Sequence, residues 1–154
     1  MSDFIGEISN ITFEAVIIEE INEAQLQIGV PVTVEYSDHF DCAYTAGEIM
    51  GTNKVVYLKN DGRVWLASAS DVNIAGKVIG MTTHSAIAGG QILVRRLGKI
   101  GLTSWGLISN ANYFIAESGA ISLNKPSTGF IQSIGIARTS VELEIQLSNI
   151  IVRG

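Results

Sequence analysis

The feature that most constrains the fold is an internal repeat built on glycine. Val55-Val56-Tyr57-Leu58-Lys59 runs into Asn60-Asp61-Gly62 and out through Arg63-Val64-Trp65-Leu66-Ala67. Further along, Tyr113-Phe114-Ile115-Ala116 runs into Glu117-Ser118-Gly119 and out through Ala120-Ile121-Ser122-Leu123. Asp-Gly between two apolar runs is a strong hairpin signal, because a type I′ turn needs positive φ at both central residues. Gly119 takes the place of Gly62 and keeps that turn chemistry in weaker form. After each hairpin comes a loop and a short strand pivoting on glycine, Gly76-Lys77-Val78-Ile79-Gly80-Met81-Thr82 and Gln132-Ser133-Ile134-Gly135-Ile136-Ala137. Gly62 to Gly80 is 18 residues and Gly119 to Gly135 is 16. A strand glycine marks a bulge or a close backbone approach, so Gly80 and Gly135 are expected to let their strands bend. Each copy closes with one more strand, at 91–97 and at 141–147, the latter alternating cleanly between apolar and polar.

The fold class this predicts is all-β. We expect a small β-barrel or sandwich of six or more short strands, with two pseudo-repeated hairpin units, about 47–101 and 105–152, sharing one core. An N-terminal arm or extra strands over 1–45 would precede this β-domain of 46–154. The length of 154 residues suits one main core and not two ordinary domains. Sixteen glycines, two prolines and many Val, Ile and Thr agree with short strands and tight turns.

Only 16% of the residues are charged against 47% hydrophobic, well under the roughly 25% charged of an average soluble domain. Much of the surface is therefore expected to be uncharged, and to be covered. Mean hydropathy is +0.32, yet no run approaches the roughly 20 apolar residues that span a bilayer. No basic region followed by an apolar run marks a secretory signal, and the single cysteine, Cys42, precludes an internal disulfide framework. Synthesis and folding in a reducing cytoplasm are expected. With a net charge of −5 and scattered basic residues, nucleic-acid binding is not expected.

The first 45 residues read differently. Nine of the fifteen acidic residues lie between Asp3 and Asp41. Ile17, Ile21, Ala24 and Ile28 fall at helical spacing, while Ala24, Leu26 and Ile28 also alternate as a strand would. The β-branched stretch 12–18 and the break at Gly29-Val30-Pro31 favour strands. Phe4, Ile5, Ile8, Ile11 and Phe13 make a terminal segment apolar enough to need a cover, and are the candidate interface residues.

Chemistry-bearing clusters are sparse. Asp38-His39-Phe40-Asp41-Cys42 brings together residue types that ligate zinc, but neighbours in an extended segment point to opposite faces and no second ligand pair follows. A polar turn is the preferred reading, with no metal site and no cofactor. Cys42 and His84 are types that make a nucleophile pair, although nothing in the sequence brings them together. No nucleophile elbow, zinc-protease helix or phosphate-cradling loop occurs, and Ala88-Gly89-Gly90-Gln91 reads as a hairpin turn. Trp65 and Trp105 lie among apolar strand residues, where core packing is preferred over a role as partner anchors. Catalytic residues are not expected.

Ala46-Gly47-Glu48-Ile49, the hairpin from Val55 to Val64, and Ala75-Gly76-Lys77-Val78-Ile79-Gly80-Met81-Thr82-Thr83 together carry a resemblance. The pattern is similar to that of small tailed-bacteriophage virion proteins, among them capsid decoration (cement) proteins and related head or tail fibre base modules. It covers about residues 47–152. The resemblance implies a small barrel-like fold, location in the virion, trimeric assembly and no enzymatic activity. The partner it implies is the major capsid protein, or a tail or neck protein. A tail, collar or fibre-anchoring part is the alternative, and a carbohydrate-binding fibre module or hydrolase a third.

Overall fold

Eleven strands build the described part of the computed structural model, residues 39–153. They are β1 Phe40–Ala46, β2 Val55–Leu58, β3 Arg63–Leu66, β4 Val78–Thr82, β5 Gln91–Gly101, β6 Asn112–Ile115, β7 Ile121–Ser122, β8 Phe130–Ile131, β9 Ser133–Thr139, β10 Glu142–Ile145 and β11 Ile151–Val152. The only helical element among the described residues is a 3₁₀ turn, Val72–Ile74, capped by Asp71, whose Oδ1 accepts from Asn73 N–H at 3.0 Å. The protein is all-β, as its glycine and β-branched content predicts.

Strands β1, β3, β2, β4 and β5 follow one another in hydrogen-bonded order, and β1 pairs again with β5, so the five close into a barrel. Closure removes the free edges that a five-stranded sheet would expose. β5 is eleven residues long and serves both halves. Its first part pairs with β1 and β4, while Gly98–Gly101 pairs with β10. The sheet then continues through β10, β9, β6 and β7, and β8 and β11 form a separate two-stranded ribbon. Residues 40–45, grouped with the N-terminal arm on sequence, thus form the strand that closes the barrel. Residues Phe4, Ile5, Ile8, Ile11 and Phe13 lie outside the described residues.

The repeat is visible in the pairing. The hairpin β2–β3, followed by β4 and β5, reappears as β6–β7, followed by β9 and β10. Even the irregularities match. Val56 pairs with Gly80 and Tyr57 with Val78, which leaves Ile79 bulged. Tyr113 pairs with Gly135 and Phe114 with Ser133, which leaves Ile134 bulged. One extra residue before each glycine bends the strand.

The two turns differ from the sequence expectation. At the Asp-Gly hairpin Gly62 N–H donates to Lys59 C=O and Lys59 N–H to Arg63 C=O, both at 3.0 Å, and only Gly62 has positive φ, +81°. That is a three-residue loop ending in a left-handed glycine, not a type I′ turn. The positive pair occurs in the second copy, where Ser118 (φ 52°) and Gly119 (φ 81°) centre the turn closed from Ala120 N–H to Glu117 C=O.

Two apolar clusters hold the halves. Ala46, Val56, Val64, Ile79, Ile92 and Val94 come from all five barrel strands and form one with Met50. Val55, Val78 and Met81 instead join Ile100, Tyr113, Ile115, Phe130, Ile134, Leu143 and Ile145 in a larger cluster shared with the second copy. Burial on both sides is why Val55-Val56 and Val78-Ile79 read as unbroken apolar runs rather than alternating ones. The tip of the second hairpin seals the seam. Gly119 N–H donates to Ala67 C=O at 2.7 Å and its carbonyl accepts from Val55 N–H at 2.8 Å, while Ala69 N–H donates to Ala116 C=O at 2.8 Å.

Candidate interaction surface

The motif residues have architectural work to do. Ala46 is fully buried in the barrel cluster, and Gly47 lies under the Trp65 ring, where a Cβ would fall 2.2 Å from ring carbon Cε2. Glu48 Oε2 accepts from Leu66 N–H at 3.0 Å. Parallel pairing of β1 with β3, Ala46 opposite Val64, places all three. Thr82, also fully buried, donates from Oγ1 to Gly51 C=O at 2.7 Å and accepts from Lys54 N–H at 3.0 Å.

The polar cluster around Asp41 is an ion pair. Arg95 Nε and Nη2 donate to Asp41 Oδ1 and Oδ2 at 2.8 and 3.0 Å, and Arg95 Nη1 donates to Lys99 C=O at 2.7 Å. His39 Nε2 stands 3.8 Å from Asp41 Oδ2. The Arg95 hydrogen bonds hold the Asp41 carboxyl below its usual range; partial burial opposes this, and the Arg95 and His39 charges add to it. Cys42 is half-buried and pairs with Val94, so as direct cross-strand partners they share a face. His84 has both ring nitrogens on backbone: Nε2 takes Leu93 N–H at 3.2 Å and Nδ1 lies 3.0 Å from Ser85 C=O. The protonated nitrogen is then Nδ1, and the ring fastens the turn before β5. Among the described residues no group of three or more His, Cys, Asp or Glu is placed to hold a metal ion.

Both tryptophans are half-buried. Trp105 packs against the shared core. Trp65 covers Gly47 and carries Lys59 Nζ 4.5 Å from its ring centroid.

Several large apolar side chains are exposed among the polar ones. The β1–β5 ladder carries Phe40 (54% exposed), Leu93 (40%) and Leu97 (57%), and Phe40 and Leu97 are direct partners across the two strands. They flank the Asp41–Arg95 pair. At the barrel end the bridge between Met50 and Ala86 sets Ile49 and Ile87 side by side, 73% and 71% exposed. A single exposed leucine is ordinary, whereas apolar groups gathered around an arginine have the composition of an interface centre. Sequence reading missed these residues because Leu93 and Leu97 sit in an apolar run that closure of the barrel turns half outward. Ile92-Leu93-Val94 is unbroken apolar in sequence, so only the pairing with β1 marks Leu93 as outward-facing. No family model and no curated protein matches the chain.

Proposed function

We propose that the chain is a non-enzymatic virion structural protein of a tailed bacteriophage, made in the host cytoplasm, that decorates and stabilises the capsid through protein–protein contacts. The observation that carries this reading is the exposed apolar group Phe40, Leu93 and Leu97 around the Asp41–Arg95 pair, on a barrel whose motif residues are occupied with holding the fold. The sequence pattern supplies the virion context. Adding subunits across such a surface removes apolar area from water, worth roughly 25 cal/mol per Å² before the cost of association. Trimeric assembly places three copies of the surface around an axis, and the major capsid protein is the partner. A tail, collar or fibre-anchoring part would use the same surface on a tail or neck protein.

Sedimentation of the full chain tests the assembly step. A species of three times the 16.5 kDa chain mass is expected, and Leu97→Asp should return it to single chains by setting a charge in the interface centre. A wild-type chain that stays monomeric at every concentration contradicts the reading.

A further inference from the structure

A cleft on the second copy lies apart from the β1–β5 surface. It is an open cleft on the outer face of β6 and β9, with a volume of about 460 Å³. That lies within the roughly 300–1,000 Å³ of small-molecule sites. Ile131 and Ile151, cross-strand partners in the β8–β11 ribbon, form one wall, and residues 146–149 form another. The walls are held by backbone: Gln146 N–H donates to Ile134 C=O at 2.9 Å and Ser148 N–H to Ser133 C=O at 3.1 Å. Ser133 N–H also donates to Ser148 Oγ at 2.9 Å.

Three side-chain amides, those of Asn112, Gln146 and Asn149, line this cleft and make no hydrogen bond among the described residues. Phe114 offers a half-buried ring, and Lys125 Nζ stands 5.9 Å from its centroid. Among the described residues Lys125 is also the one charged side chain lining the cleft, in a chain of net charge −5. An amide both donates and accepts, which is what neighbouring hydroxyls require. An aromatic ring offers an apolar face, and a lone ammonium selects one anionic group. A single cation without a helix N-terminus is a poor phosphate site.

We propose that this cleft binds an acidic sugar. The apolar face of the pyranose lies on Phe114, its hydroxyls bond to the amides of Asn112, Gln146 and Asn149, and its carboxylate pairs with Lys125. The site holds whether the chain decorates a capsid or anchors a tail part.

The test is an amide-resolved NMR titration of the full chain with methyl β-D-glucuronide and, separately, methyl β-D-glucoside. Saturable shifts are expected at 112–114, 125 and 146–149, with the glucuronide bound about tenfold more tightly. Lys125→Ala should bring the glucuronide down to the level of the glucoside, and Asn149→Ala should weaken both about threefold. Both side chains are exposed, so the unliganded spectra will show the fold kept. Equal binding of the two glycosides, shifts that map elsewhere, or no saturation at about tens of millimolar, the weak end of specific binding, overturns the proposal.

Discussion

Gly80 and Gly135 occupy the same place in two copies of one unit. A Cβ on Gly80 would fall 2.1 Å from the carbonyl oxygen of Arg95, and a Cβ on Gly135 would fall 2.1 Å from that of Glu144. Each glycine follows a bulged isoleucine and lies against the closing strand of its own copy. The obstacle is backbone in both cases and cannot swing aside. Gly80→Ala and Gly135→Ala should therefore each lower stability by about 3 kcal/mol. Gly62→Ala meets no atom within 4 Å but keeps φ at +81°, and should cost about 1 kcal/mol. Urea denaturation of the three variants checks the ordering.

The seam between the copies makes a second prediction. A Cβ on Gly129 would fall within 1.8 Å of Ala69 O, the oxygen that accepts from Phe130 N–H at 2.9 Å. Gly129→Ala should cost more than either strand glycine and should loosen both copies together, because Val55, Met81, Ile134 and Leu143 share one cluster. Thermal unfolding should remain a single transition at a lower midpoint.

Asp41 gives the pH dependence. Its pKa is depressed in the folded state, chiefly by the Arg95 hydrogen bonds. A depressed carboxylate stabilises the fold above its unfolded value and loses that contribution as pH falls through the folded value. Asp41→Asn should cost about 1 kcal/mol near neutral pH, allowing for solvent screening of a partly exposed pair. The difference from wild type should shrink as pH drops below 3.8, the ordinary carboxyl value. Denaturant melts at several pH values measure both.

Gly47 sets the position of Trp65. Gly47→Ala must push the ring aside, since its Cβ would fall 2.2 to 2.6 Å from three ring atoms. A red shift of tryptophan emission is expected with a stability loss of about 2 kcal/mol, measurable in one fluorescence titration.

How much of this was legible in the sequence follows from what each residue is constrained by. Gly62 and Gly119 were readable because a tight turn dictates glycine locally, Gly80 and Gly135 because they recur at near-equal spacing in the two copies, and Val55-Val56 and Val78-Ile79 because burial on both faces leaves apolar runs. Turn geometry was less legible: Asn60-Asp61-Gly62 forms a three-residue loop, while Ser118 is drawn to φ 52° where its hairpin tip is stitched to residues 67–69. That stitching, and the Gly129 contact with Ala69, are long-range and leave no local pattern. Closure of the barrel by β1 was hidden for the same reason, since Phe40–Ala46 pairs with strands about twenty and fifty residues away. The exposed pair Phe40–Leu97 is a product of that closure, and Ile49–Ile87 of the separate bridge between Met50 and Ala86.

The most direct test of the proposed capsid decoration is the copy number of this chain in purified particles of the bacteriophage proposed to encode it, by quantitative mass spectrometry against the major capsid protein. Decoration of repeated capsid positions predicts on the order of hundreds of copies. Absence from the particle, or a count of a few tens or fewer, would contradict capsid decoration.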